Sequence, residues 1–297
     1  MPFFWSYLFV FLIGSIVGSF LNVVVLRSEK NENYLRGRSH CPYCQKNLPW
    51  WQLIPVFSFF ILKGKCYYCK HKISWQYPIV ESLTGLVFVL IFWRFTRFPF
   101  FLPLLNNFTL ESFLVLFNLI FWFYWASVLI VIAVYDLRNY LILGEIIFPA
   151  IFISFIWKII QGLYLYFFQG SFLTFVNQPL GESSFFFGYW GYFPSLFYGI
   201  LVGVAPFLLL VLFSREKAMG WGDVLLALFL GIILSWPAVL VALILSFLLG
   251  GLISLILIKL KKKTFKSYLP FAPFLCFSGL VVLLFGDIIL KTYFLLI

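Results

Sequence analysis

The stretch Met219-Gly220-Trp221-Gly222-Asp223 opens a strongly apolar run, Val224-Leu225-Leu226-Ala227-Leu228-Phe229-Leu230. A charged side chain at the mouth of an apolar helix is costly in hydrocarbon, so Asp223 is a candidate functional residue. The glycines at 220 and 222 leave room for a second backbone to approach it. The alternative is that Asp223 only caps the helix, as aspartate commonly does. From this stretch alone, both interpretations stay open.

A second aspartate strengthens the functional interpretation. The chain contains three aspartates, Asp136, Asp223 and Asp287, and Asp136 ends the apolar run Val131-Ile132-Ala133-Val134-Tyr135. Two close carboxylates cannot both ionise at low cost, so one acts as an acid while the other acts as a base. An aspartic protease works in this way. The hypothesis requires Asp136 and Asp223 to lie at the same depth of a membrane.

Composition places the chain in a membrane. Hydrophobic residues make up 63%, aromatic residues 23% and charged residues 10% of the 297 residues, unlike a soluble globular protein. Apolar runs long enough to cross a bilayer recur along the chain. We predict an all-α integral membrane protein with about eight transmembrane helices, at residues 3–26, 78–98, 112–135, 141–163, 191–213, 222–236, 238–258 and 272–295. The sixth is short, about 15 residues or roughly 22 Å, which favours a water-filled notch near its start.

The basic residues predict the orientation. With the N-terminus outside, seventeen of the 21 Lys and Arg residues fall in cytoplasmic segments, whereas Arg94, Arg97 and Lys291 fall on the opposite side. This positive-inside bias accounts for the net charge of +11, and no nucleic-acid-binding motif is visible. The same topology puts Asp136 at the cytoplasmic end of the third span and Asp223 at the cytoplasmic start of the sixth. The two aspartates are therefore predicted at matching depth.

The first cytoplasmic segment carries a metal-binding pattern. Cys41-Pro42-Tyr43-Cys44 and Cys66-Tyr67-Tyr68-Cys69 are two CxxC pairs with 21 residues between them. This spacing is typical of a four-cysteine zinc site, whose closed tetrahedral shell leaves no catalytic position. Two disulfides are the alternative, which a reducing cytoplasm disfavours. We predict a structural zinc ion and three domains: a first helix at 1–27, a zinc-ribbon-like loop at 28–77 and a seven-helix peptidase domain at 78–297.

Three further features have more than one interpretation. The apolar stretch from Trp50 to Phe59, between the cysteine pairs, either folds on the zinc ribbon or lies at the membrane surface. Glu81, early in the second span, either caps its helix or contacts substrate from the catalytic side. Cys276, in the eighth span, is interpreted as an apolar packing residue.

Together these pieces resemble the prepilin peptidases, the type IV prepilin leader peptidase family of GxGD membrane aspartic proteases. The match begins at Gly18-Ser19-Phe20-Leu21-Asn22, continues through both CxxC pairs and Tyr77-Pro78-Ile79-Val80-Glu81, and resumes at Asp136-Leu137-Arg138 and Met219-Gly220-Trp221-Gly222-Asp223. It extends over nearly the whole chain, from about residue 14 to residue 280. Asp136 and Asp223 align with the family's catalytic pair, and the four cysteines align with its zinc-binding loop.

The resemblance implies a substrate and a location. It implies an endopeptidase of the bacterial inner membrane that removes the basic leader from type IV prepilins or pseudopilins of type II secretion. Cleavage follows a glycine at the cytoplasmic face. Many family members then methylate the new N-terminus with S-adenosylmethionine, so an N-methyltransferase activity is implied as well. The expected substrate-binding residues are Gly220, Gly222 and Glu81.

A rival hypothesis from another class is a non-catalytic membrane assembly or transport subunit whose zinc ribbon docks a partner. It predicts tolerance of substitutions at Asp136 and Asp223 and intolerance of cysteine loss. Aspartates also serve proton-coupled transporters, which carry an inverted repeat with interrupted helices. No such repeat is visible in the sequence.

Overall fold

The computed structural model describes residues 2–34, 36–96, 110–168, 191–216, 219–261 and 269–295. These ranges contain nine α-helices: α1 (Pro2–Glu29), α2 (Phe57–Ile61), α3 (Gln76–Thr96), α4 (Leu110–Asn139), α5 (Gly144–Phe168), α6 (Tyr192–Ser214), α7 (Trp221–Leu234), α8 (Ala238–Lys259) and α9 (Ala272–Leu295). A 3₁₀ turn at Trp50–Leu53 precedes α2. Within the same ranges, β pairing consists of two isolated bridges, His40 with Asn47 and Lys65 with Lys72.

The long helices have the length and composition of membrane spans. Seven of the described helices, all except α2 and α7, are long and apolar enough to cross a membrane. The exception among the apolar helices, α7, has 14 residues and is therefore about 21 Å long. With α7 included, the eight helices lie where the sequence predicted them, so the prediction of an all-α membrane protein is confirmed.

The orientation and the three-domain division stay predictions. The predicted orientation depends on the positions of basic residues, and five of these residues lie outside the described part of the chain: Arg97, Lys217, Lys262, Lys263 and Lys266. By packing, the structure divides into two compact units, and the division runs through α4.

The first compact unit contains α1, the cysteine loop, α3 and Leu119–Val131 of α4. Helix α1 packs closely on α3 because small residues line the crossing: a Cβ on Gly18 would lie 2.8 Å from the Cα of Glu81. The side-chain amide of Asn22 donates to the carbonyl oxygens of Gly18 and Tyr77, at 3.3 Å in each case. These contacts fix the position of α3 along α1 and bring Glu81 beside it.

The second compact unit comprises the described residues of the ranges 108–118 and 132–297. Helix α7 packs on α5, α6, α8 and α9, and nine of its 14 residues are buried. A Cβ on Gly231 of α7 would lie 2.6 Å from the carbonyl oxygen of Gly199 in α6, so these two helices cross with their backbones in contact. The helix that begins at the Gly-Trp-Gly-Asp stretch is therefore held by its neighbours, and core packing sets the position of Asp223.

Candidate functional site

Asp136 and Asp223 lie together in the second unit. Asp136 is buried in the last turn of α4, and Asp223 is in the first turn of α7. Their carboxyl groups are close enough for the two charges to interact. The backbone N–H of Ala272, the first residue of α9, donates a hydrogen bond to the Asp136 carboxyl. Three helix ends, from α4, α7 and α9, therefore meet at a pair of carboxyl groups.

Asp223 also caps its own helix. The N-cap of α7 is Gly220, in an extended conformation (φ −90°, ψ 162°), and its N–H donates to the Asp223 carboxyl. The N–H of Asp223 in turn donates to the carbonyl oxygen of Gly220 at 3.2 Å. An acidic or amide side chain at the third helical position commonly satisfies the N-cap donor in this way. Capping and carboxyl pairing coexist at Asp223, so the two interpretations left open by the sequence are compatible.

The two glycines before Asp223 have different surroundings. A Cβ on Gly222 would lie 3.0 Å from the Cβ of Ile142, in the connection between α4 and α5. Among the described residues, a Cβ on Gly220 would meet only the backbone nitrogen of Gly222, at 4.0 Å, and Gly220 is exposed. An extended peptide therefore has open access to the backbone at Gly220, whereas Gly222 is required for close packing.

Cys276 is a neighbour of the carboxyl pair that the sequence did not reveal. Its side chain is buried in α9, and its thiol is close enough to interact with the charges of both Asp136 and Asp223. The interpretation of Cys276 as an apolar packing residue is thus incomplete. Cys276 stands four residues after Ala272 and therefore on the same face of α9, but the sequence carries no signal that this face meets the aspartates.

Glu81 belongs to the first unit, where its hydrogen bonds are local. Its Oε2 accepts from the backbone N–H of Val56 at 2.6 Å, and the Ser19 side chain also hydrogen-bonds the carboxylate. The side chain is buried. The backbone partner of Glu81 is thus in the cysteine loop and not at the start of α3. A contact between Glu81 and substrate stays a prediction.

The four cysteines converge in the loop of the first unit. The sulfur atoms of Cys41, Cys44, Cys66 and Cys69 all lie within 4.8 Å of one another, and the four thiols are free instead of paired as disulfides. Both CxxC pairs have the same backbone pattern: Gln45 N–H donates to the Cys41 carbonyl at 2.9 Å, and Lys70 N–H donates to the Cys66 carbonyl at 3.0 Å. Four sulfur ligands around one point suit a tetrahedral metal ion, so this cluster can bind a metal.

The environment of the cluster distinguishes its thiols. Burial raises the pKa of Cys66, but hydrogen bonds from Cys69, Tyr68 and the neighbouring thiols bring it down to about 7. A backbone hydrogen bond from His71 lowers the pKa of Cys69, but burial and the other thiols raise it to about 11. The ring of His71 stacks on Tyr43, with 3.3 Å between the ring centroids, and is not part of the cluster. Because metals bind the thiolate form, a bound cation would draw all four cysteines towards ionisation.

Two family models match the chain. The model described as the bacterial peptidase A24 N-terminal domain matches residues 12–95, which include both CxxC pairs. The model described as the type IV leader peptidase family matches residues 123–255, which include Asp136 and Asp223.

The chain is also similar to proteins named prepilin leader peptidase/N-methyltransferase. It is 28% identical to the protein of that name from Legionella pneumophila, across 97% of this chain and 94% of the relative. It is 28% identical to the one from Pseudomonas aeruginosa, across 95% and 91%. The identity to the one from Myxococcus xanthus is 30%, across 84% of this chain and 62% of the relative. No solved structure matches the chain.

Proposed function

We propose that this chain, which belongs to the type IV leader peptidase family, hydrolyses a peptide bond with Asp136 and Asp223 as its catalytic pair. Family membership makes the chain a membrane peptidase. The assignment of the pair rests on one observation, the charge interaction between two carboxyl groups at the ends of α4 and α7. A peptidase of this class needs two carboxyl groups within reach of one water molecule.

The mechanism is general acid–base hydrolysis without a covalent intermediate. One ionised aspartate removes a proton from water, which attacks the carbonyl carbon of the scissile bond. The other aspartate, protonated, donates a hydrogen bond to the developing oxyanion and then a proton to the leaving amine. Because the charges of the two carboxyl groups interact, the acid and base roles are assigned to the pair and not to either aspartate alone. The N–H groups of Ala272 and Gly220 hold the two carboxyl groups in place.

The substrates are prepilins or pseudopilins with a basic leader, cleaved after a glycine. The names of the relatives support this class of substrate. The open backbone at Gly220 accepts the extended leader, and the apolar helix of the substrate remains in the lipid. Acidic groups at the cleavage site, Asp136 and Asp223, also favour a positively charged leader over an acidic one.

The metal is a structural zinc ion, held by Cys41, Cys44, Cys66 and Cys69. Four thiolates leave zinc no open coordination position, so the ion folds the loop and takes no part in hydrolysis. Methylation of the new N-terminus by S-adenosylmethionine is proposed from the names of the relatives alone, and no residue is assigned to that cofactor. Transfer of a labelled methyl group to a cleaved substrate tests it; absence of label in the product removes the claim.

The chain is a multi-pass membrane protein, and we place it in the bacterial inner membrane with its N-terminus outside and the catalytic pair facing the cytoplasm. The distribution of basic residues supports this orientation. The non-catalytic assembly or transport subunit is not supported by the comparisons, because both family models describe a peptidase.

The test is cleavage of a peptide with a basic leader, a Gly-Phe junction and an apolar helix by full-length protein in vesicles. Asp136→Asn and Asp223→Asn remove one carboxylate each and keep the size of the side chain. We expect each to lower the cleavage rate by about 10³-fold or more, since each removes an acid–base group. Asp287→Asn, in α9, is the matched control and keeps cleavage. Full cleavage by either of the first two variants would place the active site elsewhere.

A further inference from the structure

The loop between the CxxC pairs carries an exposed apolar surface. This segment, residues 50–61, comprises the 3₁₀ turn Trp50–Leu53, a short connection and α2. Trp50 is 77% exposed, Phe60 is 60% exposed and Ile61 is 68% exposed. Large apolar side chains clustered on one surface are unfavourable in water and mark a surface that contacts protein or lipid.

The segment 50–61 lies beside the middle of α1. One groove of about 360 Å³ is lined by Phe11, Leu12, Ser15 and Ile16 of α1 and by Trp50, Leu53, Ile54, Pro55 and Phe57 of the segment. The groove therefore joins the loop to a part of α1 that is distant from the point where the loop begins.

The depth of this groove follows from helix geometry. Arg27 marks the loop end of α1, because its guanidinium donates to the carbonyl oxygens of Arg36 and Arg38 in the loop, at 2.6 and 3.0 Å. Ser15 precedes Arg27 by twelve residues, which is about 18 Å along the helix. A headgroup layer is only about 5–8 Å thick on each side of a hydrocarbon core of about 30 Å. With Arg27 in the headgroup layer, the groove at Ser15 lies about 10 Å or more inside the hydrocarbon.

Part of the polar backbone of the segment 50–61 is hydrogen-bonded within the protein. Non-helical backbone is tolerated in the hydrocarbon region only where its N–H and C=O groups find protein partners. Val56, the N-cap of α2, donates its N–H to Glu81. Ser58 N–H donates to the carbonyl of Ile54 at 3.1 Å, and Leu62 N–H donates to that of Ser58 at 2.9 Å. The bond from Val56 ties the segment to α3.

The backbone conformation of Val56, whose N–H makes this hydrogen bond, is one that valine disfavours. Its φ is +63°, a region that a β-branched residue rarely adopts. Such a conformation persists only where the surroundings hold it. Glu81, buried in α3 and also hydrogen-bonded by Ser19, supplies a carboxyl acceptor 2.6 Å from the Val56 nitrogen.

We propose that residues 50–61 form a re-entrant membrane segment, whose exposed apolar face contacts lipid acyl chains and whose depth is fixed by the Glu81–Val56 hydrogen bond. The acyl chains are the occupant because this face is continuous with the exposed side chains of α1: Phe9, Leu12, Ile16 and Phe20 are all exposed along the same helix. The loop is thus divided between water, at the cysteine cluster, and lipid, at the segment 50–61. Glu81 acts as a positioning residue for the segment.

Photolabelling from within the bilayer tests the depth. Full-length protein is placed in phosphatidylcholine and phosphatidylglycerol vesicles that contain a phospholipid with a diazirine in the distal half of one acyl chain. After irradiation and digestion, we expect label on Trp50, Phe60 or Ile61 at a level comparable to Phe9 of α1. Tyr43, which is 64% exposed in the first CxxC pair, is the internal control and stays unlabelled. Label on Phe9 without label on residues 50–61 would overturn the proposal.

Substitution of Glu81 tests the tether. Glu81→Gln keeps an acceptor for Val56 N–H and retains the labelling, whereas Glu81→Ala removes the acceptor and lowers labelling of residues 50–61 by about tenfold. Ser82→Ala, on the same helix, is the matched control. Zinc content is measured in each variant, so that a shift of the segment is distinguished from loss of the cysteine fold. Unchanged labelling in Glu81→Ala would show that Glu81 does not fix the depth. Neither experiment depends on peptidase activity.

Discussion

The indole N–H of Trp221 donates a hydrogen bond to the carboxylate of Glu216, with 2.6 Å between Nε1 and Oε1. Trp221 stands between the two glycines at the start of α7, and Glu216 follows the end of α6. The N–H of Glu216 is itself bonded to the carbonyl of Val211 in α6, at 3.1 Å. The C-terminal end of α6 is therefore hydrogen-bonded to the first residue of α7, in the same helical turn as Asp223.

Trp221→Phe removes the indole donor and keeps an aromatic ring. We expect kcat/KM for leader cleavage to fall about threefold to tenfold, because a charge-assisted hydrogen bond at a partly exposed site is lost. Glu216→Gln keeps an acceptor and has a smaller effect. Trp5→Phe, at an exposed position of α1, serves as the control. Equal kcat/KM for Trp221→Phe and wild type would show that the hydrogen bond does not position the site.

Alanine substitutions at the two glycines distinguish close helix packing, at Gly222, from access of a peptide to the backbone, at Gly220. The new methyl group at 222 meets the Ile142 side chain at 3.0–3.3 Å, so we expect a lower melting temperature in detergent and slower cleavage. Ile142→Ala in the same chain removes the Cγ1 and Cδ1 contacts and restores part of the loss. Gly220→Ala meets no clash and keeps the melting temperature. It raises KM about fivefold or more, because its methyl group occupies the proposed path of the peptide. An unchanged KM would exclude that path.

Much of this architecture could be predicted from the sequence because membrane spans depend on local composition. The eight apolar helices lie within a few residues of their predicted bounds, and α7 is short, as predicted. The convergence of the four cysteines follows from their spacing alone.

The remaining features depend on packing between distant parts of the chain. The neighbour of the aspartates, Cys276, is 53 residues beyond Asp223, and it meets the pair only because α9 packs on α7. The partner of Glu81 is Val56, 25 residues earlier, in a stretch for which the sequence allowed two positions. The structure places that stretch beside the middle of α1, with Trp51 also in edge contact with Tyr67 of the second CxxC pair. The amino-acid composition shows that this stretch is apolar, but it does not show which helix the stretch packs against.

Loss of the metal is expected to unfold the loop and spare the membrane helices. Cys41→Ser removes one of the four ligands. We therefore expect the zinc content, measured by inductively coupled plasma mass spectrometry, to fall from about one ion per chain to background. Cleavage by added protease within residues 36–75 increases in the same variant. Cys276→Ser removes a thiol outside the cluster and keeps the zinc. Retention of one zinc ion by Cys41→Ser would contradict the four-cysteine site.

Gly231→Ala tests whether the close crossing of α6 and α7 positions Asp223. The added Cβ would lie 2.6 Å from the Gly199 carbonyl oxygen and 3.0 Å from the Ile200 Cα, both backbone atoms that cannot rotate away. We expect α7 to be displaced at a cost of about 1–3 kcal/mol, seen as a melting temperature several degrees lower and slower leader cleavage. Gly251→Ala, in α8, is the matched control, because no atom of the described part of the chain that neighbours the helix lies within 4 Å of the position its Cβ would take. Equal melting temperatures for the two variants would show that the α6–α7 crossing accommodates an extra methyl group. The close contact of these helices would then not determine the position of Asp223.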